Sequence, residues 1–322
     1  MRVLLTSVAA LALLAACNGE APDSIEDAVD QTAETLGEAA DEAGELFDQT
    51  VEAVSDLAGS IQDELETSTG ATSLDEVLSD PRREADRARD QWRNPRETLE
   101  FFQVEADDTV VEALPGGGWY GRILAPWLAA DGQYYGLNYP MSVFEQLFPN
   151  MNDEQRTRLE GWEAGFPAAA SEWGGPAQGG YTFGSIPESA AGSADVVLYI
   201  RALHNMARFG QLDVAVNDAW TLLKSGGVVG VVQHRAPADE TDERADGSRG
   251  YLREADVIAA FEARGFVLEA SSEINANPND PADHEIGVWA LPPSLRVDND
   301  EQRAANTAIG ETDRMTLRFR KP

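Results

Sequence analysis

The strongest constraint on the fold of this chain is the alternation of short apolar runs with helix-length amphipathic segments from residue 109 onward. Thr109 to Leu114 is a strand-length run, and Pro115-Gly116-Gly117-Gly118 turns the chain after it. Trp119 to Ala129 has helical spacing, with Pro126 placed to shorten or kink it. Gln133 to Leu137 reads as a second strand and Ser142 to Phe148 as a short helix, whereas residues 149–180, rich in Gly, Pro and Trp, support no firm assignment. The pattern resumes with a buried strand at Asp195 to Ile200 and a helix at Leu212 to Leu223, stopped by Lys224-Ser225-Gly226-Gly227. Val228 to Val232 is another buried strand, Arg253 to Ala263 a helix ending at Gly265, and Phe266 to Ala270 and Met315 to Phe319 the last two strands. Continuous apolar strands separated by helices predict an α/β domain with a mainly parallel sheet. Such sheets take ligands at the carboxyl ends of their strands, near the reversal in strand order.

Upstream of this body the charge is one-sided. The 322 residues carry 57 acids and 24 bases, a formal −33, but 18 acids and no base lie between Glu20 and Glu76. The remainder, residues 77–322, holds 39 acids and 23 bases. The shift divides an acidic arm, residues 18–77, from a more balanced body, residues 78–322. A surface this acidic repels phosphate backbones, so nucleic acid is not an expected partner. Apolar residues from Ile25 to Leu65 recur every three or four positions. That spacing fits a helical stalk, and the unrelieved negative charge fits a solvated, partly disordered spacer; both readings stand. Ser73 with Glu76 forms a capping-box pattern opening a short helix, and Asp80 to Arg96, of mixed charge, reads as a surface helix.

Met1-Arg2 and the apolar run Val3 to Ala16 are too short to span a bilayer and suit the core of a signal peptide. The one cysteine, Cys17, excludes disulfides within the chain, thiolate zinc clusters and CxxC redox chemistry. Leu14-Ala15-Ala16-Cys17 resembles the lipobox of bacterial lipoproteins. The resemblance implies a signal peptide over residues 1–17, acylation of Cys17 and anchoring of the exported chain to the cell-envelope membrane. Asn18 after the cysteine points this expectation to the periplasmic face of the outer membrane. An ordinary secretory signal with a chance cysteine is the alternative.

Gly116, Gly118 and Gly121 fit G-x-G-x-x-G directly after a strand, the context of a nucleotide-binding turn, where glycine lets the backbone approach a ligand closely. A P-loop is excluded because Arg122-Ile123 follows Gly121. A dinucleotide site expects an acid about 20 residues on, and the second strand ends instead at Asn138. Val110 to Gly118 resembles motif I of class I S-adenosylmethionine-dependent methyltransferases, and Leu222 to Gly227 resembles the segment before their fifth strand. From about Pro81 to Pro322 the chain resembles a group of bacterial methyltransferases. Four segments carry the likeness: Glu112 to Leu128, Arg201-Ala202-Leu203-His204-Asn205, His234-Arg235-Ala236-Pro237, and Ile309 to Arg314. The resemblance implies a Rossmann-like seven-stranded sheet with an antiparallel last strand. It also implies S-adenosylmethionine as cofactor, held by Glu112, Pro115, Gly116, Gly117, Gly118 and Asn138. Two positions depart from the class: Leu114 stands where it has glycine, and Asn138 where it has the acid that holds the ribose. An amide can hydrogen-bond one hydroxyl but lacks a carboxylate's charge-assisted bidentate grip.

His204 and His234 each follow a predicted parallel strand, so both fall at the carboxyl edge where ligands bind. A histidine there can serve as a general base toward a methyl acceptor, or simply satisfy loop backbone. His284 lies in an acidic loop and reads as solvated. The histidine spacing matches no metal motif, and no Gly-x-Ser-x-Gly elbow is present. Trp119, Tyr120, Tyr134, Tyr135 and Tyr139 suit either a pocket lining or core packing, and Arg235 to Gly250 either a mobile cover or a plain surface loop. Two functional expectations follow. One is a methyltransferase-like enzyme with a small-molecule acceptor. The other is a non-catalytic envelope lipoprotein that uses the same fold to bind a small molecule or an envelope protein, since the cofactor is made in the cytosol and the signal exports the chain.

Overall fold

The computed structural model describes residues 72–322, within a compact unit that spans Thr69–Pro322. The expected signal peptide, Cys17 and most of the acidic arm lie outside the described residues. Seven strands form one sheet: β1 (Thr109–Ala113), β2 (Gln133–Asn138), β3 (Gly179–Thr182), β4 (Ala194–Ile200), β5 (Leu223–His234), β6 (Val267–Ser272) and β7 (Arg314–Arg320). Their order is β3-β2-β1-β4-β5-β7-β6, and β7 alone runs antiparallel to its neighbours. This is the seven-stranded sheet, with its antiparallel last strand, that the sequence led us to expect. The strand order reverses between β1 and β4, so the carboxyl ends of these two strands flank the crevice where such sheets bind ligands.

Consecutive valines explain why the central strands are legible. Val110, Val196 and Val228 pack on one face with Leu99, Phe102, Ile123 and Tyr134, while Val111, Val197 and Val229 pack on the other with Ala219, Phe261 and Leu317. Side chains alternate along a strand, so a sheet covered on both faces needs apolar residues at every position. Burying one such side chain contributes about 1.5–3 kcal/mol before the entropy of ordering it.

The structure corrects several sequence expectations. Residues 149–180 fold into helices Asp153–Glu160 and Trp162–Ser171 and then β3. Pro167 inside a helix and the glycines of β3 hid that pattern, and a Cβ at Gly180 would collide with the Trp162 ring. Asp80 to Arg96 is no surface helix. It breaks into short helical pieces, and Arg83 and Arg93 are buried, at 0% and 2% exposure. The Ser73 capping box is present and opens the helix Leu74–Ser79, whose Val77 joins the core. The expected helix at Trp119 to Ala129 is shorter, Gly121–Trp127. β5 begins at Leu223, and its first residues loop out before Val228 pairs with Val196.

Candidate functional site

A cavity of about 450 Å³ opens at the carboxyl ends of β1, β4 and β5. Each of the four segments that carry the methyltransferase likeness reaches its wall. Leu114 to Gly117, Trp119 and Arg122 come from the first; Arg201, His204 and Asn205 from the second; His234 from the third; Glu311 and Thr312 from the fourth. A further 220 Å³ pocket adjoins it beyond Leu114 to Gly116, lined by Asn138, Tyr139, Phe144, Phe166 and Trp173 among others.

Two backbone turns shape the larger cavity. Leu114 and Arg201, the residues just past β1 and β4, both hold left-handed backbone, φ 54° and 56°. Each N–H still donates to the neighbouring strand, Leu114 to the Leu137 carbonyl at 2.7 Å and Arg201 to the Val232 carbonyl at 2.6 Å, before the chain swings away. A side-chain-bearing residue in this region costs on the order of 1–3 kcal/mol, and such residues gather at functional sites. Leu114 thus keeps a conformation that glycine would adopt without strain.

The glycines of the turn divide into two pairs. A Cβ at Gly117 would meet nothing within 4 Å, and at Gly116 only the Leu114 carbonyl at 3.7 Å, so this stretch of backbone faces open space. A Cβ at Gly118 or Gly121 would instead strike the Trp173 indole. Gly118 and Gly121, the second and third glycines of the pattern, therefore make room for a tryptophan of the fold. Close approach to a ligand explains Gly116 and Gly117 and does not explain Gly118.

The polar residues expected near the cofactor are engaged within the fold. Glu112, at 4% exposure, lies behind the turn and not in the cavity wall. It accepts a 2.6 Å hydrogen bond from the Tyr134 hydroxyl. Burial pushes its carboxyl up to about 7, against the lowering influence of that hydrogen bond and of Arg201. Asn138 turns its Oδ1 back to the Tyr139 N–H at 2.9 Å, which leaves its amide Nδ2 as the free donor. Pro115 lines both pockets.

The two histidines do meet, with ring centroids 5.3 Å apart. The Gln233 amide donates to the Gly250 and His234 carbonyls, at 2.8 and 3.3 Å, so its Oε1 must be the acceptor end. That oxygen lies 3.3 Å from His204 Nδ1, which therefore carries the proton and leaves Nε2 as an acceptor. His234 Nδ1 lies 2.5 Å from the Thr312 hydroxyl. Burial lowers His204 to about 3 and holds His234 well below the ordinary histidine value. Both rings are thus neutral at pH 7 and much weaker bases than a histidine poised near neutrality. The geometry supports an acceptor of hydrogen bonds better than a general base. His284 is tied to the buried Asp280 at 3.1 Å, which corrects its reading as a solvated residue.

Sequence reasoning gave no role to the feature that dominates the cavity, its arginines. Arg89, Arg93, Arg122 and Arg201 line it against two carboxylates, Asp86 and Glu311. Buried Glu311 accepts from Arg89 at 2.9 Å, Arg93 at 3.0 Å and Arg314 at 3.1 Å, and Asp86 pairs with Arg122. The Arg93 guanidinium stacks over the Trp119 ring at 4.7 Å. A signal was present: six of the 24 bases fall between Arg82 and Arg96, immediately after a stretch with none. Of the aromatics, Trp119 and Tyr139 reach the cavity, Tyr120 and Tyr134 are core, and Tyr135 stacks on Tyr181. The Arg235 to Gly250 loop is pinned down, since Arg235 pairs with Glu254, Glu273 and Asp313 and the loop packs Ala236 and Ala245 against Tyr251 and Val288. Among the described residues, no group of histidine, cysteine and acids is arranged to hold a metal ion.

No protein-family model and no curated protein matches the chain. Solved structures do resemble it. A SAM-dependent methyltransferase from Aquifex aeolicus aligns at 14% identity and TM-score 0.39, over 63% of this chain and 94% of its own. A SAM-dependent methyltransferase from Thermotoga maritima aligns at 12% and 0.39, over 73% and 91%. The [4+2]-cyclase SpnF aligns at 15% and 0.38, over 71% and 80%. These are likenesses of fold, which the strand order already carries; the functional reading rests on the cavity.

Proposed function

We propose that this protein is an S-adenosylmethionine-dependent methyltransferase acting on a small-molecule acceptor. In this reading it is exported and held at the cell envelope by a lipid on Cys17. The observation that carries the enzymatic part is convergence: four segments up to about 200 residues apart, quoted for their methyltransferase likeness, line one cavity at the switch point of the sheet.

The residues present fit the cofactor. Gly116 and Gly117 offer open backbone that a side chain would fill. Beside them, Asn138 has a free amide donor and the smaller pocket has the aromatic walls that suit an adenosine. When bound, the cofactor supplies an electrophilic methyl group on a sulfonium centre. The protein's task is then to position the acceptor and exclude water. His204, neutral with its Nε2 free, can accept a hydrogen bond from an acceptor hydroxyl or amine and orient its lone pair. Trp289 and Pro292 also line the cavity.

Calorimetry on the purified protein tests the reading. Saturable binding of S-adenosylmethionine and of S-adenosylhomocysteine is expected, and no binding of either at millimolar concentration overturns it. A Cys17→Ala variant should leave the membrane fraction; if it stays, the lipid anchor is wrong. Asn138 in place of the ribose-holding acid favours a second reading, a non-catalytic envelope lipoprotein that binds a small molecule or protein partner. Binding of neither cofactor form would leave that reading standing.

A further inference from the structure

The cavity has the opposite charge to its protein. A chain with a formal −33 gathers four arginines around one space and sets only two carboxylates against them. Its donors are also underused. Arg93 is 2% exposed, yet among the described residues only its Nε has a partner, Glu311, and both terminal nitrogens are buried without one. Trp119 Nε1 and Arg201 Nε are in the same state. Buried donors are almost always satisfied, and here the unsatisfied ones belong to three residues that line a single cavity, which points to a ligand that supplies acceptors. Arginine forks match the geometry of carboxylate and phosphate oxygens. Arg201 is also held in place by design of the backbone, through its left-handed turn at the end of β4 and its N–H bond to Val232. It stands beside His204 and Asn205.

We propose that the β4 side of this cavity, built on Arg201 and backed by Arg93, is an anion site, and that the small molecule it takes carries a carboxylate or phosphate group. The inference rests on the methyltransferase reading only in naming that molecule as the methyl acceptor; the anion site itself follows from the donors. His204 and Asn205 contact the neutral part of the ligand next to its anionic group. Burial lowers the Arg201 guanidinium to about 10, against the raising influence of Glu311.

The test is titration of the full-length protein with inorganic phosphate and with citrate, in low-chloride buffer, followed by calorimetry and thermal unfolding. Saturable binding of one or both is expected. Arg201→Gln should weaken it roughly tenfold or more, the effect of losing a charge-assisted hydrogen bond. The same variant should keep or raise the melting temperature, because it removes a buried charge that no carboxylate among the described residues pairs. A structural arginine would do the reverse. Arg320→Gln, at the opposite end of the strands from the cavity, should leave anion binding unchanged. The titration is repeated with saturating S-adenosylhomocysteine. Simultaneous binding supports an acceptor anion site. Mutual exclusion overturns it and assigns the arginines to the cofactor's own carboxylate. Absence of saturable anion binding, or binding indifferent to Arg201→Gln, also overturns it. Anion binding without any binding of S-adenosylhomocysteine supports the site and overturns the methyltransferase reading instead.

Discussion

The two sides of the cavity differ in how much of their chemistry the fold has already used. On the β1–β2 side, Glu112 is held by Tyr134, Asn138 by its neighbour's N–H, and Gly118 by the indole of Trp173. On the arginine side, Arg201, Arg93 and Trp119 carry buried donors with no acceptor among the described residues. A satisfied polar residue stabilises the fold and resists recruitment by a ligand; an unsatisfied one costs stability and is paid back only by a ligand. The residues that sequence patterns pick out as a site are therefore not those with the most binding capacity left. Three sets of variants sharpen or break this contrast.

The largest effect belongs to Glu311, the carboxylate at the centre of the arginine cluster. It is 3% exposed and is the shared partner of three arginines, two of them equally buried. Glu311→Gln leaves Arg93 and Arg314 without a counter-charge in low dielectric. The cost should be about 3–5 kcal/mol, seen as a lower urea midpoint at an unchanged slope. A loss below about 1 kcal/mol would mean that solvent screens the cluster, and the cavity floor would not be the dry, cationic surface described above.

Glu112 gives a smaller effect with a sign that depends on pH. Burial raises its carboxyl from 4.5 to about 7. The folded state then keeps a proton that the unfolded chain releases, so this contribution is fully present below pH 4.5 and is lost as pH rises through 7. Glu112→Gln removes the dependence while keeping an acceptor for the Tyr134 hydroxyl. Relative to the parent protein, the variant should gain about 3 kcal/mol between pH 4.5 and pH 8, measured by denaturant midpoints across that range. A flat difference would show that the carboxylate is hydrated, and hence open to the cavity and available to a ligand.

How much of this was legible in the sequence follows from where the information is local. β1, β4, β5 and β7 are covered on both faces and read as apolar runs without reference to anything distant. β3 does not, because its Gly179 and Gly180 are set by the packing of Trp162 from another segment. Arg83 and Arg93 read as surface residues because arginine usually is one; here Asp90, Glu311 and Trp119 make their burial tolerable, and only the closed fold brings Glu311 to Arg93 across 218 positions. The site followed the same rule. Strand ends placed His204, His234 and the glycine turn together, since their positions depend only on sheet topology. Which donors stay unsatisfied depends on every neighbour at once, and no spacing in the chain encodes it.

The glycine turn offers the finest test, because two adjacent residues predict opposite outcomes. Gly118 has φ 73°, and a methyl group there would strike Trp173. Gly118→Ala should therefore cost about 1–3 kcal/mol from overpacking alone, whether or not the protein ever meets a cofactor. Gly117 has open space where its side chain would be, so Gly117→Ala should change stability by no more than about 0.5 kcal/mol. If the turn cradles S-adenosylmethionine, however, the new methyl group occupies ligand volume. Binding of S-adenosylhomocysteine should then weaken roughly tenfold, about 1.4 kcal/mol, in a protein that unfolds like the parent. The same binding strength in Gly117→Ala and the parent would mean that the turn serves the packing of Trp173 alone. The glycine pattern would then be a feature of the fold, and the ligand chemistry of the cavity would belong to the arginine side.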